Sequence, residues 1–305
     1  MSSLVTLFRP HVLACTLLLL TAAASTARAA DAVVWKFTPG LTNRFQMSQD
    51  TKVAKTGAGG DMSVDSVLTI DMSWTVKEVK PDGSAVLEQR VDRMRMSIST
   101  ADGMKSDIDT DAKEDPQGQA AMAAPLLKAV TGHPFIVTMT PRGEVTDVVV
   151  PEAVAEALKN QPGAAQMGEL ASAAGFKKMV GQASFVLPET LEVGKEWTST
   201  TEAKLPVVGT QTAVTTYKYE GPVETDGTKL EKFSAKVEVS FAGGEVTVEV
   251  PSQESSGEVL FNGAEGRLEQ SKITQVTNLK IAAAGQVVEQ KIEQTIRVEW
   301  VPNVD

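Results

Sequence analysis

The alternation over residues 286–301 constrains the fold more than any other feature of this chain. Val288, Ile292, Ile296, Val298 and Trp300 fall on one side of an extended backbone, and Glu289, Lys291, Glu293, Arg297 and Glu299 on the other. A strand sends successive side chains to opposite faces, and an antiparallel sheet with one wet face calls for this sorting. The charged side also discourages edge-to-edge pairing between molecules. The pattern predicts Ile292 and Ile296 in the core, with Glu293 and Arg297 in solvent.

The same period recurs along the chain. Leu68, Ile70, Met72, Trp74 and Val76 oppose Thr69, Asp71, Ser73, Thr75 and Lys77. Lys80-Pro81-Asp82-Gly83 then reads as a hairpin turn, with Pro preset for the first central position and Gly for the left-handed one. The returning run, Ala85–Ile98, changes phase: Leu87 and Val91 are odd, while Met94, Met96 and Ile98 are even. One extra residue in a β-bulge produces such a switch. Ala101-Asp102-Gly103 turns the chain again. A second hairpin runs through Phe135–Thr140, Pro141-Arg142-Gly143 and Glu144–Val150. Earlier, Val33–Phe37 and Leu41–Met47 read as two strands about Pro39-Gly40. Later strands are expected around Val214–Tyr219, Leu230–Phe241, Glu245–Val250, Gly257–Phe261 and Leu268–Ile281, with turns at Asp226-Gly227 and Gly243-Gly244.

Two stretches depart from this period. Gln119–Val130 is Ala-rich, and Met122, Leu126 and Val130 predict a short helix that Pro125 kinks or restarts. In Pro151–Val180, Met167, Leu170, Ala171 and Ala174 fall at i, i+3, i+4 and i+7, the spacing of one helix face. Pro151 suits a first helical turn, and Gln161-Pro162-Gly163 splits the segment. Two readings stay open: a connector packed on the sheet, or a small-residue lid over an apolar cavity. The expected architecture is mainly β, with long antiparallel curved sheets in two related halves and a few short helices between and packed on them. The halves are residues 30–150 and 184–305, joined by a helical connector at 151–183. Phe37-Thr38-Pro39-Gly40 with Phe45 is similar to Leu191-Glu192-Val193-Gly194 with Trp197, which suggests a duplicated meander.

The start of the chain is a targeting segment. Val12–Ala24 is apolar but too short to span a membrane, Arg9 precedes it, and Ala27-Arg28-Ala29 offers a small-residue cleavage site. Residues 1–29 therefore read as a secretory signal peptide, whose removal leaves 276 of the 305 residues. Val12-Leu13-Ala14-Cys15 also resembles a lipoprotein box, so the alternative is lipid anchoring through Cys15. The expected location is the periplasm or the exterior. Cys15 is the sole cysteine, so cleavage after Ala29 leaves no disulfide, thiolate ligand or cysteine nucleophile. The leader holds Arg9 and Arg28 and no acid, so the formal net charge moves from −10 to −12 on processing. That sign repels phosphate backbones and anionic headgroups, which argues against nucleic acid as a partner. No later apolar run is long enough for a spanning helix, so an integral membrane protein is not expected.

From Leu126 to Leu158 a short helix leads into a strand, a Pro-Arg-Gly turn, a Glu-Val strand and a helix. Together with the early strand-Pro-Gly-strand after a signal peptide, this resembles an uncharacterised bacterial exported family, one of the domains of unknown function. The likeness covers most of the mature chain and implies no activity. The long amphipathic strands with inserted helices also look like the half-barrels of periplasmic lipoprotein carriers.

Candidates for chemistry are few. His133 is the only histidine after processing and precedes Pro134; it reads as a solvated loop residue, with no G-x-S-x-G elbow to serve. Asp107, Asp109 and Asp111 alternate, but a calcium loop of the EF-hand kind needs Gly and Glu where Ala112 and Gly118 stand. Gly57–Gly60 lacks a following helix to hold a phosphate. Carboxylate pairs of the glycosidase kind usually sit beside aromatic platforms, and this chain is 5% aromatic with several of those residues in core positions. No catalytic, cofactor or metal residue is assigned, and no enzyme is expected. The reading is a non-enzymatic exported protein that binds an apolar or lipid-like ligand between sheet and helices. The alternative is a structural or interaction component of the cell envelope with no cavity. An open apolar surface beside Trp74, Met72 or Phe135 supports the first, and a close-packed core supports the second.

Overall fold

The alternating runs become long strands. The computed structural model describes residues 32–57, 60–113, 119–160, 172–182, 185–283 and 285–302. The first half supplies β1 (Thr42–Gly57), β2 (Met62–Val79), β3 (Ala85–Thr100), β4 (Lys105–Asp109), β5 (Phe135–Met139) and β6 (Val145–Val149). The second supplies β7 (Glu196–Leu205), β8 (Gly209–Thr225), β9 (Thr228–Gly243), β10 (Thr247–Asn262), β11 (Arg267–Ala283) and β12 (Gln286–Val301). The helices described are α1 (Gln119–Gly132), α2 (Glu152–Lys159) and α3 (Ala173–Gln182).

All twelve strands belong to one antiparallel curved sheet, in the order β6-β5-β3-β2-β1-β12-β11-β10-β9-β8-β7, with β4 pairing β3 off that path. The second half is a meander, the first is one except that β4 and β5 both pair β3, and the two meet where β1 pairs β12 from Arg44 opposite Val301 to Gly57 opposite Val288. The sheet does not close, since β6 and β7 are its edges.

Register sorts the chemistry onto two faces, because directly opposed residues share a face. Phe45 faces Met72 and Trp300, and Val53 faces Val64 and Ile292. The other face carries most of the charge, while on the first the Arg267 guanidinium lies 3.8 Å from the Trp300 ring centroid. Arg297 meets Asp50 at 2.9 Å, Arg95 meets Asp71 at 2.7 Å, and Lys291 meets Glu293 at 2.5 Å.

The core lies at one end of the uncharged face. Phe45, Val76, Leu87, Phe233, Val259 and Phe261 are buried there, joined by Val130 of α1 and by Val154 and Leu158 of α2. Val154 and Leu158 are one helical turn apart, so one stripe of α2 enters the core. No side chain caps α2 at Pro151, and burial worth about 1.5–3 kcal/mol per such side chain holds it in place.

Residues 185–187 bridge the packed end. The Leu187 N–H donates to the Arg142 carbonyl at 2.8 Å. Arg142 Nε donates back to the Leu187 carbonyl at 2.9 Å, and Trp197 Nε1 donates to the Val186 carbonyl at 3.0 Å. Trp35 Nε1 donates to the Phe185 carbonyl at 3.2 Å. The segment thus ties the β5–β6 turn to β7 at the end where the core is packed.

Several expectations need correction. Val33–Phe37 is no strand: it is a strap with single bonds, Trp35 N–H to Pro141 O and Lys36 N–H to Gly266 O, reaching a turn in each half. Its alternation reflects Trp35 pointing into the core. Glu245–Val250 and Gly257–Phe261 are parts of one strand, β10, whose register against β11 shifts between Glu249 and Ser252 around Pro251, a residue with no N–H to donate. Helix α1 continues through Pro125; packing of Leu126, Ala129 and Val130 against the core outweighs the local proline cost. Ile292 and Ile296 are half-buried and lie outside the packed core.

The phase change in β3 is a β-bulge. Met72 opposes Val91 and Asp71 opposes Arg93, so Asp92 is the extra residue. Ser73, expected on the wet side, is buried and donates to Asp92 at 3.0 Å. Both Pro-containing hairpins turn as expected. The N–H of Gly83 donates to Lys80 O and that of Gly143 to Thr140 O, each at 2.9 Å, with both glycines left-handed. The leader with Cys15, and the Met167, Leu170 and Ala171 positions of the lid reading, lie outside the described residues. Ala174 is described and exposed.

Candidate functional site

Core packing stops short of a complete fill beside β2. A partly open cavity of about 50 Å³ is walled by Trp74 on β2, Leu87 and Gln89 on β3, Val137 and Met139 on β5, Val145 on β6 and Val180 on α3. The alternation of β2 brings Trp74 to the uncharged face, where it stands opposite Gln89. In β5 the same period places Phe135, Val137 and Met139 on that face, all buried. Val180 brings the last part of the connector over the opening. Among the described residues, no ionisable side chain lines this cavity.

Trp74 differs from its neighbours. The indole N–H groups of Trp35 and Trp197 both donate to the 185–186 backbone. The N–H of Trp74 is buried with no hydrogen-bond partner among the described residues. Its ring is held by Phe45 at 5.1 Å and Trp35 at 6.2 Å between centroids. A buried unpaired donor costs about 1–3 kcal/mol, so this site carries an unmet demand for an acceptor.

Beyond the cavity the uncharged face opens. Along β2 from Trp74 come Met72, Ile70 and Leu68, all half-buried. Met47 and Val53 on β1 and Ile292 and Ile296 on β12 continue the surface in the same state, with Gln49, Thr51 and Gln294 between them. Among the described elements, α1 lies against β3 and β4, α3 against β6 and α2 against those two helices, rather than on the middle of the sheet. Among the described residues, no helix covers the apolar side chains of the far half.

The candidates for ionic chemistry are engaged elsewhere. Asp109 receives Arg93 through two bonds, Nε to Oδ1 at 2.9 Å and Nη2 to Oδ2 at 2.5 Å, and Asp111 lies 3.6 Å from the same guanidinium. Asp107 sits exposed on β4, opposite Ser97. His133 is exposed, and its Nδ1–H donates to the Ala129 carbonyl at 3.0 Å at the end of α1. Gly57 and Gly60 close the β1–β2 hairpin through a 3.1 Å bond. Among the described residues, no three acids, histidines or cysteines gather to hold a metal, and no helix is long and apolar enough to cross a membrane.

Hydrogen bonds from Arg93, followed by the backbone N–H of Asp111, hold the Asp109 carboxyl down at about 2. A carboxyl depressed on folding contributes stability above its ordinary pKa and loses that contribution as pH falls toward the folded value. Asp109 is thus expected to remain ionised to about pH 2, while Arg93→Gln returns its titration toward the ordinary carboxylate range. Carboxyl carbon shifts followed by NMR during acid titration check this; an unchanged midpoint in Arg93→Gln would contradict the assignment.

Residues 82–281 match a family of unknown function, DUF6263. The chain belongs to that family. The matched span begins at the β2–β3 turn and ends within β11, so most of the sheet and all three helices lie inside it. No curated protein matches the sequence. Among solved structures, lipovitellin, described for its lipid–protein interactions, aligns with a TM-score of 0.47 at 10% identity. The alignment covers 88% of this chain and 26% of lipovitellin, so the DUF6263 chain spans about a quarter of that protein. DynF, from the dynemicin biosynthesis pathway of Micromonospora chersina, aligns at 0.21 and 8% identity over 89% of this chain and 86% of its own. OccK5 of Pseudomonas aeruginosa aligns at 0.26 and 5% identity over 87% and 100%. At these scores the likenesses carry no argument about this member of DUF6263.

Sequence reasoning singled out Trp74, Met72 and Phe135 around an open surface. The structure places Trp74 in the cavity wall, Met72 beside it and Phe135 in the core. It missed Gln89 and Val180. The first follows from pairing register, which one strand alone does not reveal. The second depends on a helix phase that a stretch of small residues leaves undetermined.

Proposed function

We propose that this DUF6263 protein is an exported, non-enzymatic binding protein that holds an apolar, lipid-like ligand on the uncharged face of its sheet, with one end in the cavity beside Trp74. The observation that carries this reading is the half-buried apolar surface running from that cavity along β2, β1 and β12. Exposed apolar area that continues into a cavity is what a ligand would cover at a gain of roughly 25 cal/mol per Å². The signal-peptide pattern at 1–29 supports export to the periplasm or beyond. An envelope component with fully packed faces fits less well, because Ile292 and Ile296 remain half-buried.

The fluorescent probe N-phenyl-1-naphthylamine is expected to bind the purified protein and brighten, and a long-chain lipid should displace it. Native mass spectrometry of protein taken from its own compartment should show an added mass that organic extraction removes. A dark probe together with a bare native mass would overturn the proposal.

A further inference from the structure

We infer that the ligand presents a neutral carbonyl, an ester or amide oxygen, to the indole N–H of Trp74; this rests on the binding reading above. Trp35 and Trp197 show how this core treats an indole donor: each is paired with a backbone carbonyl of residues 185–186. The 185–187 segment serves those two and leaves Trp74 unpaired. The Trp74 N–H is the one donor of the three with no protein acceptor, and its ring forms part of the wall of an otherwise apolar cavity. A bound acceptor removes the cost of leaving it unmade.

The charge state of that acceptor follows from the wall. Gln89 is the other polar side chain there, and among the described residues no cation lines the cavity. An ionised carboxylate would give up its hydration with no counter-charge to receive it, whereas a neutral carbonyl loses little. The cavity, at about 50 Å³, suits a carbonyl group with its nearest atoms and not a whole chain. The alkyl part then extends over Met72, Ile70 and Leu68, which follow Trp74 on the same face of β2. The expected class is a neutral acyl ester or amide, in preference to a free fatty-acid anion.

The experiment displaces bound N-phenyl-1-naphthylamine with methyl laurate, laurate at pH 8 and dodecane, on the wild-type protein and on Trp74→Phe. The substitution keeps an aromatic ring in the wall and removes the unpaired donor together with the pyrrole part of the indole; a cooperative urea transition verifies that the fold persists, and dodecane reports the effect of the lost ring area. Methyl laurate should displace the probe at a lower concentration than laurate. Trp74→Phe should weaken the ester about fivefold more than it weakens dodecane, the size of one net hydrogen bond. Laurate binding as well as the ester, or Trp74→Phe affecting ester and dodecane alike, overturns the carbonyl assignment while leaving apolar binding intact. A probe that never binds overturns the binding reading itself, and this inference with it.

Discussion

Phe233→Ala is expected to lower stability by about 3–5 kcal/mol, while Ile296→Asp should cost less, about 1–2 kcal/mol. Phe233 has no exposed surface. Its ring lies 5.2 Å from Phe185, 5.2 Å from Tyr219 and 5.7 Å from Trp197, centroid to centroid. Truncation there forfeits the transfer energy of the ring, leaves a cavity that three rigid aromatic neighbours cannot collapse into, and removes the edge-to-face contacts. Ile296 stands on the same sheet face but in its open half, opposite Gln49 and Ile273. Ile296 is partly exposed, so less than the full burial is lost, and a carboxylate introduced there can still reach water. Urea midpoints at matched m-values give the ranking. Equal losses at the two positions would mean that the far half of the face is covered in solution and is no open surface.

Alternation made most of this fold legible before any coordinates. It located β2, β9 and β12 and put the correct residues of β2 and β12 on the uncharged face. The phase switch between Val91 and Met94 marked the bulge that pairing now assigns to Asp92. What alternation cannot report is depth along a strand. Phe45 and Val53 have the same parity on β1, yet Phe45 is buried and Val53 half-buried, because the helices and the 185–187 segment reach only one end of the sheet. Nor could pairing between chain ends be read. The β1–β12 contact that makes one sheet of two meanders joins residues some 250 positions apart, such as Asp50 and Arg297. The site was half legible for the same reason. Trp74 belonged to a periodic strand, while the backbone that satisfies Trp35 and Trp197 and bypasses Trp74 has no period to betray it.

That bypassing segment can be tested through one glycine, because Gly143→Ala should destabilise the protein by more than about 3 kcal/mol while Gly103→Ala costs about 1–2 kcal/mol. The two glycines do the same local job. Each closes a hairpin with a left-handed backbone, at φ 93° and 89°, and each donates its N–H to the residue three places before, at 2.9 and 3.0 Å. The conformational penalty of a Cβ is therefore nearly common to both. Their surroundings differ. A Cβ at Gly103 meets nothing within 4 Å. At Gly143 it would lie 2.5 Å from Trp35 Nε1, and in direct collision with the Phe185 carbonyl oxygen. Those are the two partners of the Trp35–Phe185 hydrogen bond, so a methyl group must push the strap and the bridging segment apart. The excess loss at Gly143 over Gly103 measures how firmly those two segments are seated on the β5–β6 turn. Thermal or urea unfolding of the pair supplies it. Equal losses would mean that residues 185–187 do not lie over that turn, and the explanation for Trp74 standing unpaired would go with them.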